Sequence, residues 1–239
     1  MGGVPFYWSQ LKPGMSLAQN INQLFFSEDG NLRHEFDDLY DSLFKQPKPY
    51  LSIVDALATK KVGMTRTEIL RATKLTDNGK LTEYLENLEY CGFIRKYNCI
   101  GMKAKNALFQ LMDNYTLFYY KYVQGKDTKD AHRWTHLSST PQVMSWQGFS
   151  FELLCLLHLD EIKKSLGIDR ILNDASAWRS KQTEQNTQID LVIERAARNI
   201  KLCAMKFSTT MYAIEKDYEQ KLSERMSIFQ AETKTRCST

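Results

Sequence analysis

Residues 188–208 have the sequence QIDLVIERAARNIKLCAMKFS, and this stretch decides how the second half of the chain folds. Two runs that alternate apolar residues with others predict two β-strands joined by a turn at 195–199. Side chains two apart in a strand point the same way, so Asp190 should lie opposite Ile189 and Leu191. By the same rule Ala204 and Lys206 should share a face of the second strand. An acid on one strand and a lysine on its neighbour are therefore predicted to converge.

The composition is typical of a soluble globular protein with a sizeable core, since 43% of residues are hydrophobic and 25% are charged. The net charge of +4 permits contact with nucleic acid without requiring it. No apolar run approaches the ~20 residues that cross a bilayer. The first residues show no signal-peptide pattern, so no membrane association is predicted. The five cysteines lack Cys-x-x-Cys spacing and predict free thiols of a reducing cytoplasm, buried at Cys91, Cys155 and Cys203.

Residues 1–49 are predicted to form a helical segment. Ser16 is suited to cap one helix, and an apolar stripe predicts a second helix over 31–44. Pro47 and Pro49 are predicted to stop helical structure. We expect these helices to be packing elements, with the docking of a partner domain as the alternative.

Residues 50–112 carry the pattern of a winged-helix domain. Three amphipathic helices are predicted, the second opened by a capping box formed by Thr65 and Glu68. Two strands, at 93–97 and 107–111, follow around a basic loop that contains glycine. Three helices followed by a β-hairpin wing predict a winged helix.

The charge of this domain leaves its function open. In DNA-binding winged helices the third helix enters the major groove, but here Glu83, Glu86 and Glu89 point outward, and phosphate repulsion disfavours groove recognition. The wing carries basic residues that can contact phosphates without recognising sequence. These candidates are Arg95, Lys96, Lys103 and Lys105. DNA contact and a scaffold role are equally supported.

Residues 113–144 are predicted to be a helical connector. An aromatic run over 115–123 favours a buried seam between domains over stacking on single-stranded bases. His132 and His136 stand four apart and can face one metal ion. Because no matching acid is evident nearby, a surface or interdomain pair is favoured.

Residues 145–239 form the last predicted domain. A long helix over 145–166 contains Glu152 within an otherwise apolar stretch, where an unpaired charge would be costly to bury. A strand over 171–178, the strand pair at 188–208 and a helix over 215–233 follow. The expected fold class is thus α/β or α+β.

The helix acid Glu152, the strand acid Asp190 and the downstream Lys206 together resemble the core of PD-(D/E)XK nuclease-like domains. The wider context, with Gly-Gly-Val-Pro-Phe-Tyr at 2–7 and Trp-Arg-Ser-Lys at 178–181, resembles the C-terminal region of a group of prokaryotic AAA+-type ATPases. In those proteins a P-loop domain precedes a winged helix and this nuclease-like region. The resemblance covers nearly the whole chain. It implies N-terminal helices, a winged helix-turn-helix, and a mixed sheet flanked by helices. The family adds a further strand where this chain has the polar tail 234–239, so a sheet truncated at its C-terminal end is expected.

The resemblance also implies roles for individual residues. Asp190 and Glu152 would bind Mg²⁺, which prefers oxygen ligands, and Lys206 would assist the attacking water. Arg179 and Lys181 would either approach a phosphate or form a solvated loop end. The chain contains no Gly-x-x-x-x-Gly-Lys-Ser/Thr motif. It should not hydrolyse ATP alone, and its natural partners would be an ATPase domain in the same chain and DNA.

One departure from the family pattern weakens the catalytic expectation. The pattern has a second metal-binding glutamate, 14 residues after Asp190, where this chain has Ala204. Alanine supplies no oxygen, and Glu194 lies roughly 13 Å along the strand. We therefore expect weak or no Mg²⁺ binding and a DNA-binding, nuclease-like module that is catalytically impaired. The alternatives are an active nuclease in a form with glutamate at 204, and a protein-interaction scaffold.

Overall fold

The computed structural model describes residues 3–126, 130–180, 187–195 and 199–234. Lys181, one of the predicted phosphate-binding residues, lies outside the described residues. The chain forms two compact units, the first comprising residues up to 96 together with 109–147, and the second comprising 97–108 and residues from 148 onward. None of the described helices is long and apolar enough to span a bilayer.

The fold combines helices with two small antiparallel sheets and is of the α+β type. The helices are α1 (Pro5–Ser9), α2 (Leu17–Phe25), α3 (Asn31–Leu43), α4 (Pro47–Ala58), α5 (Arg66–Thr73), α6 (Gly79–Tyr90), α7 (Asn114–Phe118), α8 (Arg133–Leu137), α9 (Pro141–Leu157), α10 (Leu159–Ser165) and α11 (Lys216–Thr233). The strands are β1 (Met64–Thr65), β2 (Ile94–Tyr97), β3 (Leu108–Leu111), β4 (Asn173–Arg179), β5 (Gln188–Arg195) and β6 (Asn199–Cys203).

Two capping boxes begin helices of the first unit where the sequence predicted them. The Ser16 hydroxyl accepts the Gln19 N–H at 3.3 Å, and the Gln19 side chain accepts the Ser16 N–H at 2.8 Å. Thr65 and Glu68 form the equivalent pair at the start of α5. Pro47, in contrast, begins α4 instead of stopping helical structure, because the first turn of a helix needs no proline N–H.

The first unit packs its helices around aromatic side chains. α7 and the π-helical turn that follows it at Tyr119–Val123 carry the aromatic run, and its burial confirms that it is no exposed linker. The ring of Tyr119 stacks on Phe36 with a centroid separation of 4.1 Å. A three-stranded sheet of order β1-β3-β2 completes the helix–strand–helix–helix–strand–strand succession from α4 to β3. β1 was not predicted.

The second unit is built on a sheet of order β4-β5-β6 with helices on both faces. On one face Trp178, Ile189, Val192 and Ile200 pack with Phe229 of α11. On the other face, residues of β5 pack with residues of α9 and α10. This second cluster includes Leu191, Ile193, Ile168, Leu156 and Leu159. The named strands are antiparallel, and a single parallel bridge joins Cys99 to Ala177 beside β4.

Two predicted elements have different bounds in the structure. The helix expected over 145–166 begins at Pro141 and is interrupted at His158, which separates α9 from α10. β6 ends at Cys203, so Ala204 and Lys206 follow the strand instead of belonging to it. Their predicted place within the strand is therefore wrong, although both line the same cleft.

A β-bulge interrupts the pairing of β5 with β4 between Ile189 and Val192. Between the pairs Ser176–Val192 and Trp178–Ile189, β4 advances by two residues while β5 advances by three. The additional residue places Ile189 in the same cluster as Val192, while Leu191 packs on the opposite face. The predicted sharing of a face by Ile189 and Leu191 is thus wrong, since a bulge breaks the alternation of the strand.

Candidate functional site

The second unit contains a cleft of about 1130 Å³ that brings together the residues predicted to form a nuclease-like site. It lies along β6, whose outer edge pairs with no strand among the described residues. The side chains that line it come from α9, the start of β5, β6 with the segment after it, and α11. They include Phe151, Glu152, Cys155, Gln188, Asp190, Lys201, Ala204, Lys206, Tyr212, Tyr218, Leu222, Arg225 and Met226.

The acids and the lysine reach this cleft from three separate elements. α9 presents Glu152, which is half-buried, and the bulge of β5 presents Asp190, which is also half-buried. The β5–β6 register pairs Leu191 with Cys203. The strand pairing ends there, and Ala204, the residue that follows Cys203, lines the same cleft as Asp190.

Gln188 links two of the predicted residues and was missed by the sequence-based prediction. Its amide nitrogen donates to Asp190 Oδ1 at 3.2 Å. Its amide oxygen accepts a hydrogen bond from the Arg179 guanidinium at 3.3 Å. A signal was present in the sequence, because Gln188 and Asp190 are two apart at the start of a strand and can share a face. Gln188 orients the Asp190 carboxylate.

Lys206 faces an aromatic ring of α11. Its Nζ lies 5.0 Å from the ring centroid of Tyr218, within the distance of a cation–π interaction. Lys206 is itself exposed to solvent. The ring of Tyr218, in the first turn of α11, therefore contacts Lys206, and the lysine ammonium stays accessible to a ligand.

The oxygen ligands of the cleft do not fit a resident Mg²⁺ ion. Mg²⁺ requires near-octahedral oxygen coordination, and position 204 contributes only a methyl group. Within the described part of the chain, no group of three or more His, Cys, Asp or Glu side chains is placed to hold a metal ion. No catalytic step through a metal ion follows from this donor set.

Two cysteines line the cleft without forming a nucleophilic site. Burial raises the pKa of the Cys155 thiol, and the neighbouring Glu152 charge raises it further. Burial also raises the pKa of Cys203, against a smaller opposite effect of Lys201. Both thiols therefore stay protonated near neutral pH. Cys91, predicted to be buried, is exposed.

The predicted basic residues of the wing belong to two different units. In the first unit, Arg95 donates from Nε to Gln110 Oε1 at 2.8 Å. Lys96 is exposed, and its Nζ lies 5.9 Å from the Phe109 ring centroid. Lys103 and Lys105 are exposed in the loop that belongs to the second unit.

The histidine pair of the connector has an acid beside it, contrary to the prediction. His136 Nδ1 lies 3.0 Å from Asp130 Oδ2, and Asp130 Oδ1 accepts the His132 N–H at 2.9 Å. The hydrogen bond with His136 lowers the pKa of Asp130. The acid organises the start of α8, and its contacts are those of a local structural turn.

Comparisons with known proteins leave the family open. No protein-family model matches the chain, and no solved structure matches it significantly. Over 123 residues the chain is 28% identical to "Uncharacterized protein MJECL04" of Methanocaldococcus jannaschii. The match covers 51% of this chain and 27% of that protein, so the chain spans about a quarter of the length of this relative.

Proposed function

We propose that this chain is a DNA-binding, nuclease-like module of an AAA+-type ATPase, with a catalytic site that lacks one metal ligand. The observation that carries the proposal is the cleft that Glu152, Asp190, Ala204 and Lys206 all line. These residues are separated by up to 54 positions in sequence (206 − 152) and come from three elements.

The architecture of each unit supports this proposal. Helices on both faces of the sheet β4-β5-β6 support a PD-(D/E)XK-type core, although the named strands are antiparallel and do not form the mixed sheet that the resemblance implies. The succession from α4 to β3, with sheet order β1-β3-β2, is the arrangement expected for a winged helix. The archaeal relative is longer than this chain, which suits a module that works within a larger protein.

The chemistry of the cleft favours binding over cleavage. Lys206 supplies a positive charge that can offset a phosphate, and an electrostatic contact of this kind needs no metal ion. Cleavage would need a metal-activated water, for which two carboxylates without a third oxygen ligand at 204 are a poor site.

The substitution Ala204→Glu tests the nuclease ancestry. Glutamate at 204 places a carboxylate in the cleft that Asp190 lines, and we expect metal-dependent nicking of plasmid DNA in Mg²⁺ or Mn²⁺ that the unsubstituted protein lacks. Ala204→Gln is the matched control, because it has the same size without the charge. The gain should also vanish when Asp190→Asn is added to Ala204→Glu.

A folded Ala204→Glu protein that cleaves no better than its Gln counterpart would count strongly against nuclease ancestry. Cleavage that survives Asp190→Asn would show that the activity arises elsewhere or from a contaminant. Circular dichroism of each variant establishes that it is folded.

The binding part of the proposal is tested by salt dependence. Binding to a DNA duplex should weaken as salt rises, and each lost phosphate contact should reduce the slope of log K against log salt by about 0.9. The lysines to neutralise are Lys96, Lys103 and Lys105. Absent or salt-independent binding would favour the second candidate, a protein-interaction scaffold. The exposed glutamates of α6 favour that candidate; they are Glu83, Glu86 and Glu89.

A further inference from the structure

The hydroxyl of Tyr218 is a polar group in the cleft that the proposed nuclease-like site does not use. Tyr218 lies in the first turn of α11 and lines the cleft. Its Oη is buried, and it has no hydrogen-bond partner among the described residues. Its backbone N–H is already used, because it donates to Glu215 O at 2.9 Å.

A buried hydroxyl without a partner is uncommon, because leaving such a group unsatisfied is energetically unfavourable. Buried polar groups in folded proteins therefore nearly always bind another protein group, a water or a ligand. Since Tyr218 borders an open cleft, the missing partner can enter from that cleft. A partner of this hydroxyl must offer a hydrogen-bond acceptor or donor within reach of the ring.

The neighbour of Tyr218 indicates the chemical class of this partner. The Lys206 ammonium lies 5.0 Å from the centre of the same ring, so a cation and a hydroxyl donor border one region of the cleft. Both groups can donate hydrogen bonds, and the ammonium adds a full positive charge. A group that accepts from both and carries negative charge is an oxyanion, and a phosphate offers several acceptor oxygens.

We infer that Tyr218 binds a phosphodiester group in this cleft, with its O–H donating to a non-bridging oxygen whose charge Lys206 offsets. This inference rests on the proposed function and adds to it a residue that recognises the phosphate. Arg225 adds a second cationic side chain to the lining of the same cleft. Glu152 and Asp190 line the cleft as well, so the anion is expected at the end formed by Tyr218 and Lys206.

The substitution Tyr218→Phe isolates the hydroxyl, because it keeps the ring that Lys206 faces. The assay is fluorescence anisotropy with a labelled DNA duplex at several salt concentrations. We expect Tyr218→Phe to weaken binding about tenfold, in line with the loss of one hydrogen bond to a charged acceptor. The slope of affinity against salt should stay unchanged, because no charge is removed.

Two further variants serve as controls. One removes the positive charge of Lys206, and the other removes the hydroxyl of a tyrosine outside the cleft. Lys206→Met should weaken binding and also reduce the salt slope by about 0.9. Tyr90→Phe, on the exposed end of α6 and far from the cleft in sequence, should bind DNA as the unsubstituted protein does. The melting temperature without DNA should be unchanged or slightly higher for Tyr218→Phe, because an unsatisfied polar atom is removed.

Three results would overturn the inference. If the unsubstituted protein binds DNA and Tyr218→Phe binds it equally well, Tyr218 is not a phosphate ligand, while the proposed function stands. If the unsubstituted protein binds no duplex at low salt, both the inference and the DNA-binding function fail. If Tyr218→Phe melts several degrees lower, the hydroxyl has a structural partner within the protein and is not reserved for a ligand.

Discussion

Phe229 should determine the stability of the sheet that carries the candidate site. Its side chain is 0% exposed and packs in the cluster of Trp178, Ile189, Val192 and Ile200. Its ring meets Trp178 edge-to-face, with centroids 5.3 Å apart and an interplanar angle of 79°. The substitution Phe229→Ala removes these contacts and leaves a cavity between α11 and the sheet.

The loss in free energy of unfolding caused by Phe229→Ala can be worked out from these contacts. Full burial of a phenylalanine side chain stabilises by about 1.5–3 kcal/mol, and an edge-to-face aromatic pair adds about 0.5–1.5 kcal/mol. The cavity adds to this loss, and measured Phe→Ala changes in cores cost about 3–5 kcal/mol. Since about 1.4 kcal/mol is a factor of ten in an equilibrium, amides of β5 should exchange about two to four orders of magnitude faster.

Hydrogen–deuterium exchange of peptides from β5 measures the destabilisation of this sheet directly. Core amides exchange only through large opening events, whose frequency rises as the sheet becomes less stable. Met211→Ala is the matched control, because Met211 is 98% exposed and its removal should change stability by less than about 0.5 kcal/mol. Acceleration of less than tenfold in Phe229→Ala would refute the packing of α11 on this sheet. The same result would remove the support for Tyr218 as a wall of the cleft.

Two further predictions concern the first unit. Gly63→Ala should cost at least about 2 kcal/mol in thermal or urea unfolding, because φ is +81° and the new Cβ would lie 2.3 Å from Phe109 O; Gly79→Ala, with nothing within 4 Å, should not destabilise. The hydrogen bond from Lys60 lowers the pKa of Glu68, so its stabilisation is complete above the unfolded-state value of 4.5 and is lost as pH falls through the lower folded-state pKa. Unfolding midpoints of Glu68→Gln should consequently depend less on pH in that window, and an unchanged pH dependence would contradict the assignment.

Helix starts could be predicted because their determinants are local. A capping box joins two residues three apart, so Ser16 with Gln19 and Thr65 with Glu68 specify a helix start without tertiary information. The start of α4 was missed although Pro47 is also a local signal, since proline both ends one helix and suits the first turn of the next.

The interruption between α9 and α10 has no such local signal. His158 leaves helical geometry at φ −106° and ψ 35°, and no glycine or proline stands at that position. The apolar periodicity continues through it, so the sequence pattern alone favours one long helix. Contacts of Leu156 and Leu159 with the sheet are made by residues on either side of the break. Tertiary packing of this kind cannot be inferred from helical spacing.

The bulge in β5 explains why Asp190 lines the cleft although strict alternation would turn it elsewhere. Strict alternation would place Asp190 on the face of Val192, which packs against Phe229. The additional residue of β5 between Val192 and Ile189 breaks this alternation, so Asp190 does not have to lie on the face that packs against Phe229. Bulges commonly redirect side chains beside functional sites. Sequence alternation cannot reveal an extra residue, since the bulge is defined only by pairing with β4.

The position of Ala204 and Lys206 along the cleft depends on the register of β5 with β6. Ala204 and Lys206 lie beyond the end of β6, but Lys206 is only three residues from Cys203, so the chain cannot carry it more than about 11 Å away. The Leu191–Cys203 pair therefore fixes where Ala204 and Lys206 begin their course along the cleft. A register slip of one residue would turn the apolar side chains of β6 to the opposite face, so the burial of Ile200 opposes it. The same hydrophobic contact that stabilises the strand thus fixes where Ala204 enters the cleft that Asp190 lines.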